Sequence, residues 1–309
     1  MINALFAARP ERWPDYAVPL RAAFAETGLK VHLSQDIPPE TVDYIIYAPN
    51  SPLKDFTPFP RLKAVLSLWA GVEAIYDNPT LTVPLCRMVD PGLTQGMAEW
   101  VSGHVLRYHL GMDAHITAAP GTWQPKAPRL AWDCPVTILG MGELGTATAH
   151  ILTEIGFPVT GWSRTPKNIP NIKCETGQER LIPALQSAQI LVLLLPDTPA
   201  TQNVINAKTL QALPKGAMIL NPGRGPLIDD AALLAALDSG HIAAATLDVF
   251  RTEPLPTDHP YWHHPKVTVT PHIASETRPH YSSKTIAENI RRSEAGLPLL
   301  HQVNRALGY

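Results

Sequence analysis

The stretch PVTILGMGELGTATAHILTEIG, residues 135–156, decides the fold. Its short apolar start predicts a buried strand, and its amphipathic continuation predicts a helix that ends at Gly156. Between them, Gly140, Gly142 and Gly145 form a G-x-G-x-x-G pattern. A strand, this pattern and a helix in direct succession are typical of a dinucleotide-binding α/β unit. The alternative is a plain glycine-rich turn.

The three glycines predict a binding site for a pyrophosphate. The first permits a tight turn, the second lets the backbone approach the ligand, and the third lets the helix pack closely on the strand. The N-terminus of the following helix offers free N–H groups to an anion. We therefore expect a nicotinamide dinucleotide to bind here.

The end of the next predicted strand, GWSRTPK at residues 161–167, indicates which dinucleotide. NAD-binding units usually carry Asp or Glu at this position, ~20 residues after the glycines, to hold the ribose hydroxyls. No carboxylate occurs between Glu154 and Glu175 in this chain. The cations Arg164 and Lys167 stand there instead.

Cations at this position favour a 2′-phosphate. The planar fork of Arg164 can bind a phosphate, Lys167 adds charge, and Ser163 and Thr165 can donate hydroxyls. We therefore predict NADP(H) as the cofactor, with NAD(H) as the weaker alternative. In the alternative interpretation, Arg164 and Lys167 are solvated loop charges.

Strand-like and helix-like segments alternate on both sides of this stretch. Apolar runs at residues 2–8 and 43–49 predict strands, and residues 62–77, LKAVLSLWAGVEAIYD, predict a strand, a turn and a helix. Residues 96–115 predict one long amphipathic helix. Near-continuous apolar strands between helices predict parallel sheets covered on both faces.

Length and composition limit the classes of protein to consider. A chain of 309 residues exceeds the usual size of one domain, which predicts two. The net charge of −2 gives no field for nucleic acid or anionic membranes, and no apolar run is long enough to span a bilayer. Three scattered cysteines and no signal peptide predict a reduced, cytoplasmic location.

Polar residues follow several strands in the second half of the chain. Arg224 follows GAMILNPG, Asp248 and Glu253 follow AAATL, and His272 follows KVTVTP. Because the carboxyl ends of parallel strands share one edge, Arg224, Glu253 and His272 are expected to converge beside the nicotinamide. Such a set suits the reduction of a 2-keto acid, with imidazolium as the acid, a carboxylate as its partner and arginine as the substrate anchor. Taken singly, Arg224 could be a surface loop arginine and Glu253 could cap a turn before Pro254.

At this point the sequence resembles the D-isomer-specific 2-hydroxyacid dehydrogenases, and within them the glyoxylate/hydroxypyruvate reductases. The resemblance spans nearly the whole chain and rests on GMGELG, GWSRT, LLPDTPAT, NPGRG, LLAALDSGHI, LDVFRTEPLP, YWHHPKVTVTPHIAS and TRP. It implies NADPH-dependent reduction of small 2-keto acids to D-hydroxy acids. It also implies a Rossmann domain, residues 99–280, inserted in a smaller flavodoxin-like substrate domain, residues 1–98 and 281–309, both doubly wound parallel α/β sheets.

The resemblance also implies roles for individual residues. His272 is the acid and base, Glu253 its partner, and Arg224 the substrate anchor. Further substrate contacts are expected from Ala70, Gly71, Val72 and Ser275. The expected cofactor contacts are Gly140, Met141, Gly142, Glu143, Leu144, Gly145, Ser163, Arg164, Thr165, Lys167, Leu195, Pro196, Thr201, Pro222, Gly223, Asp248, His272 and Ala274. Two departures are Gly223, where the family often has Ala, and Trp69, where a small residue is common.

Other interpretations remain open. The protein could be a nicotinamide-sensing co-regulator on the same fold, or a relative that acts on phosphite or a bulkier keto acid. The cluster His259, His263 and His264 lacks metal-ligand spacing, so no metal is expected. Trp100, Trp123 and Trp132 are interpreted as core or dimer contacts, and a homodimer is expected.

Overall fold

The computed structural model describes residues 1–309 and divides the chain into two units. One unit comprises Met1–Leu93 and Thr277–Tyr309, and the other is the continuous segment Thr94–Glu276. The units are defined by backbone packing, whereas the limits predicted from sequence, 98/99 and 280/281, refer to substrate and cofactor domains. Those functional limits stay a prediction.

Each unit contains one parallel sheet. The strands are β1 Ile2–Ala7, β2 Val31–Ser34, β3 Tyr44–Tyr47, β4 Ala64–Ser67, β5 Leu85–Cys86, β6 Val136–Leu139, β7 Val159–Ser163, β8 Lys173–Thr176, β9 Ile190–Leu193, β10 Ala217–Asn221, β11 Ile242–Leu247 and β12 Val267–Val269. The α-helices are α1 Trp13–Glu26, α2 Pro91–His109, α3 Met112–Ile116, α4 Glu143–Ile155, α5 Leu181–Gln186, α6 Ala207–Ala212, α7 Asp230–Asp238 and α8 Pro279–Glu294.

The discontinuous unit has a five-stranded sheet of order β2-β1-β3-β4-β5. All its pairs are parallel, which is the doubly wound order of flavodoxin-like folds. Helix α8 completes the core of this unit, because Ile286 and Ile290 are buried in one cluster with Tyr16 and Leu20 of α1. The last part of the chain is therefore structurally part of the first unit.

The continuous unit has a seven-stranded sheet of order β12-β11-β10-β9-β6-β7-β8, again all parallel. Alternate residues of the fully buried central strands face opposite sides: Ile138 and Val192 join one core cluster, and Leu139 and Leu193 join the other. Helices cover both faces, so the strands are apolar throughout. The strand order reverses between β6 and β9, where such sheets bind ligands. The predicted fold class is confirmed.

Two elements differ from the prediction. The helix expected after β4 does not form, since residues 72–77 make only turns. The long helix predicted at residues 96–115 begins earlier, at Pro91, and ends at His109, because Gly111 takes a left-handed conformation with φ of 64°. The short polar edge strands β2 and β8 were not predicted.

None of the helices has both the length and the hydrophobicity to cross a membrane. All three cysteines are free; Cys86 and Cys134 are buried, and Cys174 is partly exposed.

Candidate active site

The carboxyl edge of the seven-stranded sheet collects most of the residues predicted to bind cofactor or to act in catalysis. They lie at or just after the ends of six strands, because all these strands run in the same direction. The segments concerned are residues 140–145, 163–167, 195–201, 222–224, 248–253 and 270–275.

The turn between β6 and α4 requires glycine at two positions. Gly140 has a φ of 111°, and a Cβ there would lie 2.4 Å from the backbone oxygen of Leu194. A Cβ on Gly145 would lie 1.9 Å from the backbone oxygen of Gly140. The first glycine therefore permits the turn, and the third permits close packing of helix on strand.

The second glycine leaves open space. Gly142 is exposed, is the N-cap of α4, and would carry a Cβ with no protein atom within 4 Å. The next three backbone N–H groups, of Glu143, Leu144 and Gly145, belong to the first helical turn, where no intrahelical acceptor exists. Met141 is buried, with its side chain packed against Gly161 of β7. The turn thus fits a pyrophosphate, which needs free donors and an open backbone surface.

The end of β7 presents cations to solvent. The buried Ser163 hydroxyl donates to the Thr165 backbone oxygen at 2.7 Å and so shapes the turn. Arg164, Thr165 and Lys167 are exposed beyond it. Ser163 therefore acts within the turn, while the cations face outward.

A carboxylate does lie on the neighbouring strand, but it is already engaged. Glu175 of β8 pairs in register with Trp162 of β7. Arg180 donates to its two oxygens at 2.6 and 2.9 Å, and Lys173 lies 2.9 Å away. The hydrogen bond from Arg180, then that from Lys173, lowers the pKa of Glu175 to about 2. Glu175 is therefore engaged in ion pairs with Arg180 and Lys173 on the edge strand β8.

The loop after β9 is held by Thr201. Its hydroxyl donates to the backbone oxygen of Pro196 at 2.7 Å and accepts from the backbone N–H of Thr198 at 2.9 Å. Leu195 is buried in the core beneath the loop. Thr201 thus holds the loop in shape, and Leu195 anchors it.

The NPGRG loop after β10 is shaped by Asn221, which sequence reasoning missed. The Asn221 side chain accepts from the backbone N–H of Gly223 at 3.2 Å and donates to the Arg224 backbone oxygen at 2.9 Å. A Cβ on Gly223 would lie 2.7 Å from the backbone oxygen of Leu193, which explains Gly where the family often has Ala. Pro222 is buried, and Arg224 is partly exposed at the sheet edge.

Asp248 organises the loop after β12. Its fully buried carboxylate accepts from the Thr270 hydroxyl at 2.6 Å and from the backbone N–H groups of Ile273 and Ala274 at 2.9 and 2.8 Å. Its backbone oxygen accepts from the backbone N–H of His272 at 2.8 Å. Asp248 therefore fixes the backbone on both sides of His272 through these hydrogen bonds. The role of Thr270 was missed, and its only sequence signal is its place two residues before the histidine.

His272 and Glu253 form a hydrogen-bonded pair. Nδ1 of His272 lies 2.7 Å from Oε2 of Glu253, and Oε1 of Glu253 accepts from the backbone N–H of Phe250 at 2.9 Å. His272 has a φ of 55°, and its side chain is 54% exposed. With Nδ1 facing Glu253, the opposite ring nitrogen, Nε2, is the one available to a ligand.

The charges around this pair favour imidazolium. The hydrogen bond with Glu253 raises the pKa of His272 against partial burial, and the nearby charge of Arg224 opposes that rise. Burial opposes ionisation of Glu253, but hydrogen bonds from His272 and Phe250 outweigh it and lower the pKa of the carboxyl group. Arg224 also lowers the pKa of Glu253, so the three predicted side chains share one electrostatic environment.

Two further predicted residues follow His272. Ala274 is buried in the core. Ser275 is partly exposed and adjoins α2, since a Cβ on Gly96 would lie 3.3 Å from the Ser275 hydroxyl.

Ala70, Gly71 and Val72 belong to the other unit, in the loop after β4. The Ser67 hydroxyl shapes the start of this loop through hydrogen bonds with the backbone N–H and oxygen of Trp69, each 3.0 Å long. Val72 is buried, and Trp69 is 42% exposed. Because the predicted helix does not form, no helix N-terminus is present at this loop, and an anion bound here must be held by the loop's own N–H groups.

No group of three His, Cys, Asp or Glu side chains is arranged to hold a metal ion. His259 Nδ1 is near the backbone N–H of Tyr261 at 3.3 Å, and His264 Nε2 lies 3.3 Å from Asp238. His259 and His264 thus make local structural contacts.

Residues 107–274 match the family described as "D-isomer specific 2-hydroxyacid dehydrogenase, NAD binding domain". A glyoxylate/hydroxypyruvate reductase A from Yersinia enterocolitica is 43% identical over 257 residues, covering 81% of this chain and 82% of that protein.

Solved structures give the same result. A D-isomer specific 2-hydroxyacid dehydrogenase from Xanthobacter autotrophicus, in complex with NADPH and MES, is 42% identical with a TM-score of 0.92, over 99% of both chains. An NADPH-dependent glyoxylate/hydroxypyruvate reductase from Sinorhizobium meliloti, in complex with NADP and sulfate, is 33% identical with a TM-score of 0.88 over 100% of both chains.

Proposed function

We propose that this protein reduces small 2-keto acids such as glyoxylate and hydroxypyruvate with NADPH. The chain belongs to the D-isomer-specific 2-hydroxyacid dehydrogenase family. The observation that carries the proposal is the His272–Glu253 pair, 2.7 Å between Nδ1 and Oε2, in one electrostatic environment with Arg224. An acid and an anion anchor at one sheet edge are what reduction of a keto acid requires.

His272 is the general acid of the proposed reaction. When bound, NADPH would supply the hydride that reduces the keto carbon. The keto oxygen then gains negative charge, and His272 donates the proton on Nε2 to it. Glu253 holds Nδ1 and stabilises the imidazolium that makes this proton available near neutral pH.

Arg224 and the loop after β4 bind the substrate in this proposal. The guanidinium of Arg224 can donate to the carboxylate and the carbonyl together, which fixes the keto carbon for attack. The backbone N–H groups of Ala70, Gly71 and Val72 are assigned to the carboxylate, and Ser275 adds a hydroxyl. The reaction is expected to give the D-hydroxy acid wherever a stereocentre forms.

NADPH is preferred over NADH because of the residues beyond β7. Arg164 and Lys167 are exposed there, and Glu175 on the neighbouring strand is already paired with Arg180 and Lys173. A charge-assisted contact contributes about 1.5–3 kcal/mol, so two such contacts decide cofactor choice. NADH remains a weaker substrate.

The experiment that tests the proposal follows oxidation of NADPH and of NADH with glyoxylate, hydroxypyruvate, pyruvate and phenylpyruvate. We expect turnover with the first two acids and NADPH. Turnover only with phenylpyruvate would assign a bulkier keto acid instead. NADPH binding without turnover of any acid would contradict the proposed reaction and favour a cofactor-sensing regulator.

We also propose a cytoplasmic homodimer. Large apolar side chains are exposed along residues 110–132, with Trp123 at 90%, Ile116 at 73% and Trp132 at 64% exposure. Exposed apolar side chains concentrated in one segment of the chain favour a surface that a partner covers. Sedimentation analysis of the wild type and of Trp123→Ser tests this, with a dimer expected only for the wild type.

A further inference from the structure

We propose that Arg305 is a positioning residue for the substrate-binding loop of the discontinuous unit. The inference rests on the proposed function, since it concerns the loop assigned to the substrate carboxylate. Arg305 stands in the C-terminal tail, far along the chain from the loop, and both segments belong to the same structural unit.

The guanidinium of Arg305 holds three backbone carbonyls at once. Its Nε donates to the oxygen of Tyr76 at 2.6 Å, its Nη2 donates to the oxygen of Asn78 at 2.7 Å, and its Nη1 donates to the oxygen of Leu81. These carbonyls lie in the segment that continues directly from Ala70, Gly71 and Val72. The side chain therefore fixes the segment by its backbone.

The segment needs this support because it forms no helix. Backbone N–H groups of Ile75 and Tyr76 both donate to the Val72 oxygen, and that of Asn78 donates to the Ile75 oxygen, but these turns do not continue into a regular helix. In a helix, the following carbonyls would accept from backbone N–H groups. Here a planar guanidinium with five N–H donors in a fixed fork supplies donors to these carbonyls, and only the Asn78 oxygen also accepts from a backbone N–H, that of Leu81. An ammonium group cannot reach three carbonyls in this geometry.

The tail that carries Arg305 is itself anchored. The backbone N–H of Val303 donates to the Leu85 oxygen on β5 at 2.8 Å. The Val303 side chain is buried in the same apolar cluster as Val72 and Ile75. Arg305 therefore acts from a fixed position, and the backbone N–H groups of the loop are held ready for an anion. Such preorganisation lowers the ordering cost of binding.

The test compares Arg305→Ala and Arg305→Lys with the matched control Arg292→Ala. Arg292 belongs to the same unit and donates from Nε to the Pro298 oxygen at 2.6 Å, away from the substrate loop. For Arg305→Ala we expect KM for the keto acid to rise about 10-fold, with kcat and the KM for NADPH changed less than about twofold. Arg305→Lys is expected to lie in between, and Arg292→Ala to match the wild type.

Chemical rescue separates positioning from general stability. Millimolar guanidinium, well below denaturing concentration, should lower the raised KM of Arg305→Ala and leave Arg292→Ala unchanged. An unchanged KM in Arg305→Ala, or a fall in kcat alone, would overturn the proposal whatever happens to Tm. Should Arg305→Ala fail to fold, Arg305→Lys carries the same decision: its KM must rise.

Hydrogen exchange tests the inference independently of turnover. Amides of residues 72–78 should exchange at least about tenfold faster in Arg305→Ala, while those of β6 and β7 should not change. Equal exchange in the loop would overturn the inference even if the wild type reduces keto acids. Faster exchange in an enzyme that reduces no keto acid would overturn the proposed function and, with it, the assigned purpose of Arg305.

Discussion

The turn after β6 and the loop after β4 are two solutions to one problem. Each follows a fully buried parallel strand, and each is assigned to an anion through its backbone N–H groups. The first continues into the 13-residue helix α4, whose own hydrogen bonds hold it. The second makes turns without a regular helix and is held by contacts from the C-terminal tail, through Arg305 and Val303.

The difference teaches where the information for each site lies. The cofactor turn is specified locally, by three glycines and the helix that follows them. The substrate loop is specified by residues more than two hundred positions away. We therefore expect changes in the first to act on cofactor affinity, changes in the second to act on substrate KM, and changes in the catalytic pair to affect neither.

The largest expected effect comes from His272→Asn, which removes the acid and leaves both anion sites intact. Turnover should fall by ~10²–10⁴, with the Kd for NADPH nearly unchanged. The matched control is His264→Asn, because His264 also faces a carboxylate, that of Asp238. Full activity in the first variant would remove histidine from the mechanism.

Next in size is Gly145→Ala in the cofactor turn. Its Cβ would lie 1.9 Å from a backbone oxygen, so the turn must open. We expect the Kd for NADPH to rise by roughly 10- to 100-fold, together with a lower Tm. Gly142→Ala meets no protein atom and should weaken NADPH binding without lowering Tm. Equal Tm values for wild type and Gly145→Ala would contradict the close packing.

Arg164→Asp should shift cofactor preference towards NADH by at least about tenfold, because it replaces a phosphate-binding cation with a carboxylate. The measurement is kcat/KM with each cofactor. Lys215→Asp makes the same type of charge reversal in the loop that leads into β10, at the opposite edge of the sheet, and serves as the control. An unchanged ratio would return Arg164 to the role of a solvated loop charge.

The pH dependence of reduction should follow His272. Its pKa is raised by Glu253, so the imidazolium persists above its ordinary range, and reduction declines as pH rises through the raised pKa. Glu253→Gln should move that decline to lower pH, because it removes the hydrogen bond and the charge that raise the pKa of His272. Stability from protonated His272 is likewise present below its ordinary pKa and lost as pH rises through the raised value, whereas that from Glu253 is lost as pH falls through its lowered pKa. A profile that does not move would exclude Glu253 as the partner.

The smallest effect is expected from Trp69→Gly, beside the substrate loop. Trp69 is 42% exposed, and removing its ring should let bulkier acids bind. We expect kcat/KM for phenylpyruvate relative to glyoxylate to rise about fivefold, with the Kd for NADPH unchanged. Trp262→Gly, at an equally exposed tryptophan of the other unit, is the control. A fall in kcat/KM for both phenylpyruvate and glyoxylate would indicate loss of loop structure instead.

The parts that could be predicted from sequence are those with a local code. Gly140 and Gly145 occur where backbone geometry excludes other residues. The apolar strands of both sheets are predicted from short apolar runs along the chain. The convergence of Glu253 and His272 required one further rule, that parallel strands end at a common edge. The structure places these two residues in one hydrogen-bonded pair.

The parts that sequence could not give depend on distant contacts. Residues 72–77 have a helix-like apolar pattern, yet Val72 and Ile75 face a cluster completed by Val303, and the segment stays a turn. The short strands β2 and β8 lie at sheet edges, where polar residues remove the apolar signal. The support of His272 by Thr270 and Asp248 is likewise invisible without the fold.

Because the discontinuous unit is built from both ends of the chain, the two units are expected to fold in a fixed order during synthesis. The whole of Thr94–Glu276 is synthesised before α8, whose Ile286 and Ile290 complete the first core. The continuous unit can thus fold before the last helix of the discontinuous unit has been synthesised. A nascent chain arrested before α8 should therefore already bind NADPH. Its substrate-binding unit should still be incompletely folded, because α8 is missing from the core.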